Sequence, residues 1–334
     1  MFTRLSLAVI AAVTLSAVLA LSAAAAPTTI GYQHLEMPDP AGGTVEIGVW
    51  YPAEAATRTT YVGPYPLEVA DGAPVSGVHH GLIVMSHGNG GGFSGHVDTA
   101  MALAQAGFVA AALTHTGDNY RDQSRAIDLP NRPRQLKLLI DYMLEGWSGR
   151  SAIDPDRIGA FGFSAGGFTV LALAGGQPDL STIAPHCVAH PQAYDCQLIS
   201  RFPAGASLIN TAHPVWTHDV RIRALVVAAP AVGFTFGQVG LAHVGQPLQL
   251  WRAGEDQVLP NPDYAEAVRI ALPVAPDYHL VANAGHFDFL TPCNDILKRS
   301  APIICPSRPG FDRAAFHDSF NAAVVAFFQA KLKT

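Results

Sequence analysis

Residues 158–174, IGAFGFSAGGFTVLALA, decide the fold that the sequence predicts. The run up to Phe163 is apolar and glycine-spaced, as in a buried strand, and the alanine- and leucine-rich run from Ala165 indicates a helix. Between them stands Ser164 in Gly-x-Ser-x-Gly, which in this context exposes a hydroxyl at the edge of a sheet on a sharp turn. The alternative is an ordinary turn whose serine caps the helix.

The rest of the chain alternates between strand-like and helix-like segments. Predicted strands are short apolar runs, at residues 45–51, 81–86, 108–114, 157–163, 223–229, 247–252 and 277–281. Predicted helices lie between and after them, at residues 97–106, 132–146, 165–174, 264–272 and 314–332. Because continuous apolar runs suit a sheet that is covered on both faces, we predict an α/β fold with a doubly wound, mostly parallel sheet.

Composition excludes several classes of protein. The 334 residues are 49% hydrophobic and 14% charged, which is typical of a globular chain and too apolar for a disordered one. The formal net charge is −6 and no basic run is present, so nucleic acid is not an expected partner. Since no repeat or low-complexity linker interrupts the chain, we expect a single catalytic domain over residues 27–334.

The first 26 residues have the pattern of a secretory signal. Arg4 gives a basic start, residues 5–21 are apolar, and three alanines before Pro27 offer a cleavage site. An uncleaved membrane anchor is the alternative, but no charged stop-transfer flank follows the apolar run. We therefore expect a secreted or periplasmic protein with no stable membrane insertion after cleavage.

The four cysteines fit an oxidising compartment. Cys187 lies near Cys196 in sequence, and Cys293 lies near Cys305. Exported chains commonly use paired cysteines in disulfides, and of the three pairings that four cysteines allow we favour these two local ones.

The fourteen histidines raise the question of a metal site. His87 and His115 are expected near the same sheet edge as Ser164, but the sequence contains no H-E-x-x-H motif and no C-x-x-C pair. Structural roles are therefore favoured for both histidines, and neither a metal nor a cofactor is expected.

Residues 177–219 separate the helix after Ser164 from the next predicted strand. This proline- and histidine-rich segment is too long for an ordinary connection, which predicts a cap over the site. Trp216 within it, together with Phe163 and Phe287, is a candidate for lining an apolar substrate pocket; core packing is the alternative for each.

A serine hydroxyl becomes a nucleophile only beside a base that an acid holds in the correct tautomer. Asp256 and His286 each follow a predicted strand, in the chain order of serine, acid and histidine that this type of sheet uses. Because the carboxyl ends of parallel strands share one edge, we expect both beside Ser164. Glu255 and Asp288 are the alternatives for the acid.

Acyl transfer also needs two N–H donors for the developing oxyanion. The backbone N–H of Ala165, directly after the serine, is one candidate. The other is expected from residues 86–92, SHGNGGG, where Asn89 is favoured and Gly90 is the alternative.

These motifs resemble the α/β-hydrolase superfamily, in the branch similar to dienelactone hydrolases and platelet-activating-factor acetylhydrolase. The resemblance rests on residues 49–52 (VWYP), 86–92, 114–120 (THTGDNY), 154–167 and 284–287 (AGHF). It implies cofactor-free hydrolysis of a small-molecule or polymeric carboxylic ester through an acyl-enzyme. One departure is Ser164, since dienelactone hydrolases have a cysteine there.

Two other functions are compatible with the same residues. An amidase or peptidase can use the same triad if the leaving amine is positioned for protonation. A catalytically silent exported binding protein is the third hypothesis, against which stands the strained nucleophile turn, a costly feature with no use in a binding protein.

Overall fold

A computed structural model describes residues 29–202 and 214–333 of the chain. The strands in these ranges are β1 (Thr29–Pro38), β2 (Thr44–Ala53), β3 (Arg58–Val62), β4 (Tyr65–Asp71), β5 (His80–Ser86), β6 (Val109–Leu113), β7 (Ile153–Phe163), β8 (Ile222–Ala228), β9 (Leu248–Ala253) and β10 (Asp277–Val281). They form one sheet in the order β10-β9-β8-β7-β5-β6-β2-β1-β4-β3.

The α-helices of the described residues alternate with the later strands. They are α1 (Val97–Gln105), α2 (Asn131–Glu145), α3 (Ala165–Leu173), α4 (Ile183–Ala189), α5 (Tyr194–Ser200), α6 (Gln238–Leu241), α7 (Ala265–Ala271), α8 (Asp295–Ser300) and α9 (Arg313–Lys331).

The strands that matter for the site run parallel. From β6 through β5, β7, β8 and β9 to β10, every neighbouring pair is parallel, whereas β2 pairs antiparallel with both β6 and β1. The sheet is therefore mixed, and the α/β fold predicted from the sequence is confirmed. The carboxyl ends of β5 to β10 all lie at one edge, so the loops that leave these ends are brought together.

Two hydrophobic cores cover the two faces of this sheet. Side chains alternate along a strand, so on β8 Leu225 and Val227 belong to one core and Val226 to the other. Helices α2 and α3 cover the first face, and α1 and α9 cover the second. The continuous apolar runs of the sequence arise because both faces of these strands are buried.

All seven predicted strands and all five predicted helices are present with small shifts in their ends. The sequence-based prediction missed β1, β3 and β4. In β1 exposed polar side chains alternate with buried ones in its second half, and β3 is exposed along most of its length. These strands lie where the sheet is only partly covered, so they lack a continuous apolar run.

The structure pairs the four cysteines locally, as Cys187–Cys196 and Cys293–Cys305. The predicted signal, residues 1–26, lies outside the described residues, as do residues 203–213 of the predicted cap. The described part of that segment contains α4 and α5. Among the described residues, no helix has both the length and the apolar character needed to cross a membrane.

Candidate active site

Ser164 occupies a strained turn between β7 and α3. Its φ of 55° and ψ of −119° lie in a region that costs energy for a residue with a side chain. The flanking glycines are required by space: a Cβ on Gly162 would collide with the Gly166 carbonyl, and one on Gly166 would collide with the backbone of Ser86. The turn therefore packs directly against the end of β5, with the hydroxyl at the sheet edge.

Ser164, His286 and Asp256 form a continuous chain of hydrogen bonds. His286 Nε2 lies 3.1 Å from Ser164 Oγ, and His286 Nδ1 lies 2.8 Å from Asp256 Oδ2. Because Nδ1–H donates to the carboxylate, Nε2 is left to accept from the serine hydroxyl. This is the tautomer in which an imidazole can take up the proton of an attacking serine.

The Asp256 carboxylate is fixed by its own loop. Its Oδ1 accepts the backbone N–H groups of Val258 at 2.9 Å and Leu259 at 2.7 Å, which leaves Oδ2 for His286. The two alternative acids lie elsewhere: the Glu255 side chain is 53% exposed, and Asp288 accepts the N–H of Gly285 at 2.7 Å. Of the three carboxylates, Asp256 is the one in contact with the histidine.

A second histidine, His317, contacts the loop that carries His286. His317 on α9 lies 2.8 Å from the Asp288 carbonyl through Nε2 and 2.5 Å from Asp98 Oδ2 through Nδ1. Both partners are hydrogen-bond acceptors, so the ring joins α1 to the loop that carries His286. Burial opposes the charge on Asp98, but the hydrogen bond from His317 lowers the pKa of this carboxyl.

Two backbone N–H groups near Ser164 are available to an oxyanion. Those of Ala165 and Asn89 have no hydrogen-bond acceptor within the part of the chain that the structure describes. The N–H of Gly90, by contrast, donates to Asp118 Oδ1 at 2.9 Å. The loop passes close to the serine, because a Cβ on Gly88 would lie 3.1 Å from Ser164 Cβ. This geometry favours Asn89 over Gly90 as the second donor.

A buried ion pair between Arg132 and Asp118 holds that loop in place. Their side chains are 2% and 4% exposed. Asp118 accepts the side-chain amide of Asn89 at 2.6 Å, and Arg132 donates to the His87 carbonyl and, at 3.0 Å, to Thr169 Oγ1 on α3. The pair therefore connects the loop after β5 to the helix that follows the serine. The motif at residues 114–120 contains Asp118, but its sequence does not predict this role.

The segment after α3 also reaches this loop. The Tyr194 hydroxyl at the start of α5 donates to Asn89 Oδ1 at 2.5 Å. Beside this contact lies a cleft of about 380 Å³, with residues 189–194 on one side and the loop that follows Asp256 on the other. Tyr194, which contacts the oxyanion loop, thus also lines a cleft that borders the Asp256 loop.

The three predicted pocket residues lie apart from this cleft. Phe163 is buried with its ring centroid 4.8 Å from that of His286. Phe287 is half-buried, 5.4 Å from the same ring, and Trp216 packs 5.6 Å from Phe168. Phe163 therefore supports the histidine from the core side, and a substrate-binding role for the three stays a prediction.

His87 and His115 are buried among hydrogen-bonding partners. Burial lowers the pKa of His87 to about 3 and that of His115 well below its usual value. His87 Nε2 accepts the His115 N–H at 3.0 Å, and His115 Nε2 lies 2.8 Å from Ser86 Oγ. Both rings are neutral parts of the scaffold beneath the oxyanion loop.

Comparison with known proteins supports the fold of this chain but does not assign it to a family. No family model matches the sequence, and no curated protein is detectably similar to it. Among solved structures 779 chains are similar. One is a ferulic acid esterase from Streptomyces cinnamoneus, with a TM-score of 0.64 and 20% identity over 94% of this chain and 92% of that one. At this identity the similarity establishes a shared α/β fold, and the narrower resemblance to dienelactone hydrolases stays a prediction.

Proposed function

We propose that this chain is an exported serine hydrolase of the α/β-hydrolase fold that cleaves carboxylic esters, with Ser164 as nucleophile, His286 as base and Asp256 as the orienting acid. The observation that carries the proposal is the hydrogen-bonded chain of these three side chains on a strained turn. The structural similarity to a protein described as a ferulic acid esterase points to the same class of reaction.

In the first half-reaction the serine attacks the ester. His286 Nε2 accepts the proton of Ser164 Oγ as the oxygen bonds to the carbonyl carbon, and the resulting imidazolium is stabilised by the Asp256 carboxylate. The carbonyl oxygen gains negative charge and accepts the N–H groups of Ala165 and Asn89. The imidazolium then protonates the departing alcohol, which leaves an ester between the acyl group and the serine.

In the second half-reaction water replaces the alcohol. His286 takes a proton from the water as its oxygen attacks the acyl-enzyme, and the same two N–H groups accept the charge again. Collapse of this intermediate returns the proton to Ser164 Oγ and releases the carboxylic acid. No cofactor enters either step.

The oxyanion donors act best if they are oriented before the substrate arrives, because they then need no reorganisation during the reaction. Asp118 accepts a hydrogen bond from the Asn89 side-chain nitrogen, and Tyr194 donates one to the Asn89 side-chain oxygen. We assign them as positioning residues, since they fix the peptide of Asn89 without reaching the reacting atoms.

The cap, the substrate class and export belong to the same proposal. The contact between Tyr194 and Asn89 supports the proposed cap, since α5 is there bonded to the loop at residues 86–92. The name of the structural neighbour favours esters with an aromatic acyl group. Two disulfides support export, since disulfides persist in oxidising compartments.

The test is hydrolysis by the mature protein of p-nitrophenyl esters of increasing chain length and of methyl ferulate. Ser164→Ala is compared with Ser319→Ala, which removes an exposed hydroxyl on α9. We expect activity and labelling by a fluorophosphonate in the wild type and in the Ser319 variant, with both lost in Ser164→Ala. Residual hydrolysis at the wild-type rate in Ser164→Ala would overturn the assignment of the nucleophile.

A further inference from the structure

One wall of the cleft carries two histidines a single helical turn apart. His186 on α4 and His190 at its end are four residues apart, so they share one face of the helix, and their ring centroids are 4.8 Å apart. Asp263 approaches from the opposite wall, with Oδ2 3.7 Å from His190 Nε2. One ligand atom from each of the three side chains lies within 4.8 Å of the other two.

The His186 ring is held in place by its neighbours. It stacks on Phe234 with centroids 3.8 Å apart and planes inclined by 15°, and its Nε2 lies 3.3 Å from the Tyr264 hydroxyl. That hydroxyl donates to Asp195, at 3.0 Å from Oδ1.

A disulfide constrains the backbone that presents these histidines. Cys187, directly after His186, is bonded to Cys196 on α5. The turn between α4 and α5, which contains His190, is thereby closed into a short loop. The sulfur of Cys196 is bonded in this disulfide and therefore cannot bind a metal ion.

We propose that His186, His190 and Asp263 bind a divalent transition-metal ion at the wall of the cleft. Two imidazoles and one carboxylate suit Zn²⁺ and its neighbours, whereas Mg²⁺ and Ca²⁺ prefer oxygen ligands alone. Three protein ligands leave a tetrahedral ion with one position for water or for an anionic group of a molecule in the cleft. The site goes beyond the proposed hydrolysis and does not depend on it.

The binding test uses Zn²⁺ alone, titrated calorimetrically into mature, EDTA-treated protein that carries no polyhistidine tag. We expect one ion per chain, and Co²⁺ in its place should give the intense visible absorption of a tetrahedral site. His190→Ala and the isosteric Asp263→Asn should each weaken binding by at least about tenfold. Unchanged melting temperatures without metal would show that the variants remain folded.

His34→Ala is the matched control. His34 is as exposed as His190, at 53%, and also lies beside a carboxylate, 3.0 Å from Glu46 Oε1, but no third ligand accompanies this pair in the part of the chain that the structure describes. Its replacement should leave Zn²⁺ affinity unchanged. A wild-type Kd weaker than about 1 mM, or equal affinity in the wild type, His190→Ala and Asp263→Asn, would show that the site does not exist.

Discussion

The hydroxyl of Tyr194 donates to the side-chain oxygen of Asn89 at 2.5 Å, so α5 is bonded to the loop that carries a candidate oxyanion donor. A hydrogen bond of this kind contributes about 1 kcal/mol. If it orients the peptide of Asn89, its loss acts on the transition state more than on substrate binding.

Tyr194→Phe should therefore lower kcat about fivefold, as expected from the loss of about 1 kcal/mol, with a smaller change in KM. Steady-state kinetics on a p-nitrophenyl ester measure both constants. Tyr61→Phe, at a tyrosine that is 67% exposed, is the control and should leave them unchanged. An effect of Tyr194→Phe on KM alone would indicate substrate contact in place of positioning.

Asp118→Asn should destabilise the protein by about 3–5 kcal/mol, because it leaves the buried Arg132 guanidinium without its counter-charge. Urea unfolding measures the change. Asp71→Asn, which breaks the exposed pair with Arg58, should cost less than about 1 kcal/mol.

The same Asp118 variant separates stability from positioning. Measured well below its melting temperature, where the chain is folded, Asp118→Asn should still have a reduced kcat. The amide keeps one acceptor oxygen, so it cannot serve both Arg132 and the N–H groups of Asn89 and Gly90 as the carboxylate does. Full kcat per folded molecule would restrict Asp118 to a structural role.

His96→Leu should make the protein less sensitive to acid. Burial lowers the pKa of His96 and His87 to about 3, and that of His115 also lies well below normal. Below about pH 6.5 the unfolded chain binds protons at these sites that the folded chain does not. The free energy of unfolding therefore decreases as the pH is lowered. His87 and His96 each contribute about 1.4 kcal/mol of lost stability per pH unit from about pH 6.5 down towards pH 3.

The measurement is the free energy of unfolding in urea at pH 7, 6 and 5. The wild type should lose more stability over this interval than His96→Leu, by the contribution of one histidine. His34→Ala, at an exposed ring, serves as the control. Parallel pH profiles for the wild type and His96→Leu would show that the buried ring does not stay neutral.

His317→Gln should impair the candidate base without touching the substrate. A glutamine side chain cannot reach both Asp98 and the Asp288 carbonyl, which the His317 ring joins. Loss of the hydrogen bond to the Asp98 carboxylate should cost about 1.5–3 kcal/mol and lower kcat through the His286 loop. Unfolding in urea and kcat below the melting temperature are the two readouts; an unchanged kcat would limit His317 to stability.

The parallel half of the fold can be predicted from sequence because burial on both faces of β5 to β9 leaves continuous apolar runs. The positions of Asp256 and His286 after β9 and β10 also follow, since parallel strands end at a common edge. In the structure His286 lies within hydrogen-bonding distance of both Ser164 and Asp256.

The contacts of His317 with Asp98, and of Asp263 with His186 and His190, could not be predicted from sequence in this way. Asp98 and His317 meet because α1 and α9 cover the same face of the sheet, and no local spacing relates them. His186 and His190 do have a helical spacing that sequence alone displays, but Asp263 joins them only through the packing of two distant loops. The sequence pattern predicts where strands end. Which side chains from distant parts of the chain meet depends on tertiary packing, which the pattern does not show.

The crowding around Gly162 and Gly166 has a consequence for how such chains diverge. Both glycines are required because a Cβ at either would collide with backbone, and this requirement is independent of any hydroxyl at residue 164. A descendant that lost its activity would keep both glycines for as long as it kept the sheet, while the serine would be free to drift. The glycines would therefore report the architecture alone, whereas the residue at position 164 would report whether the proposed chemistry was kept.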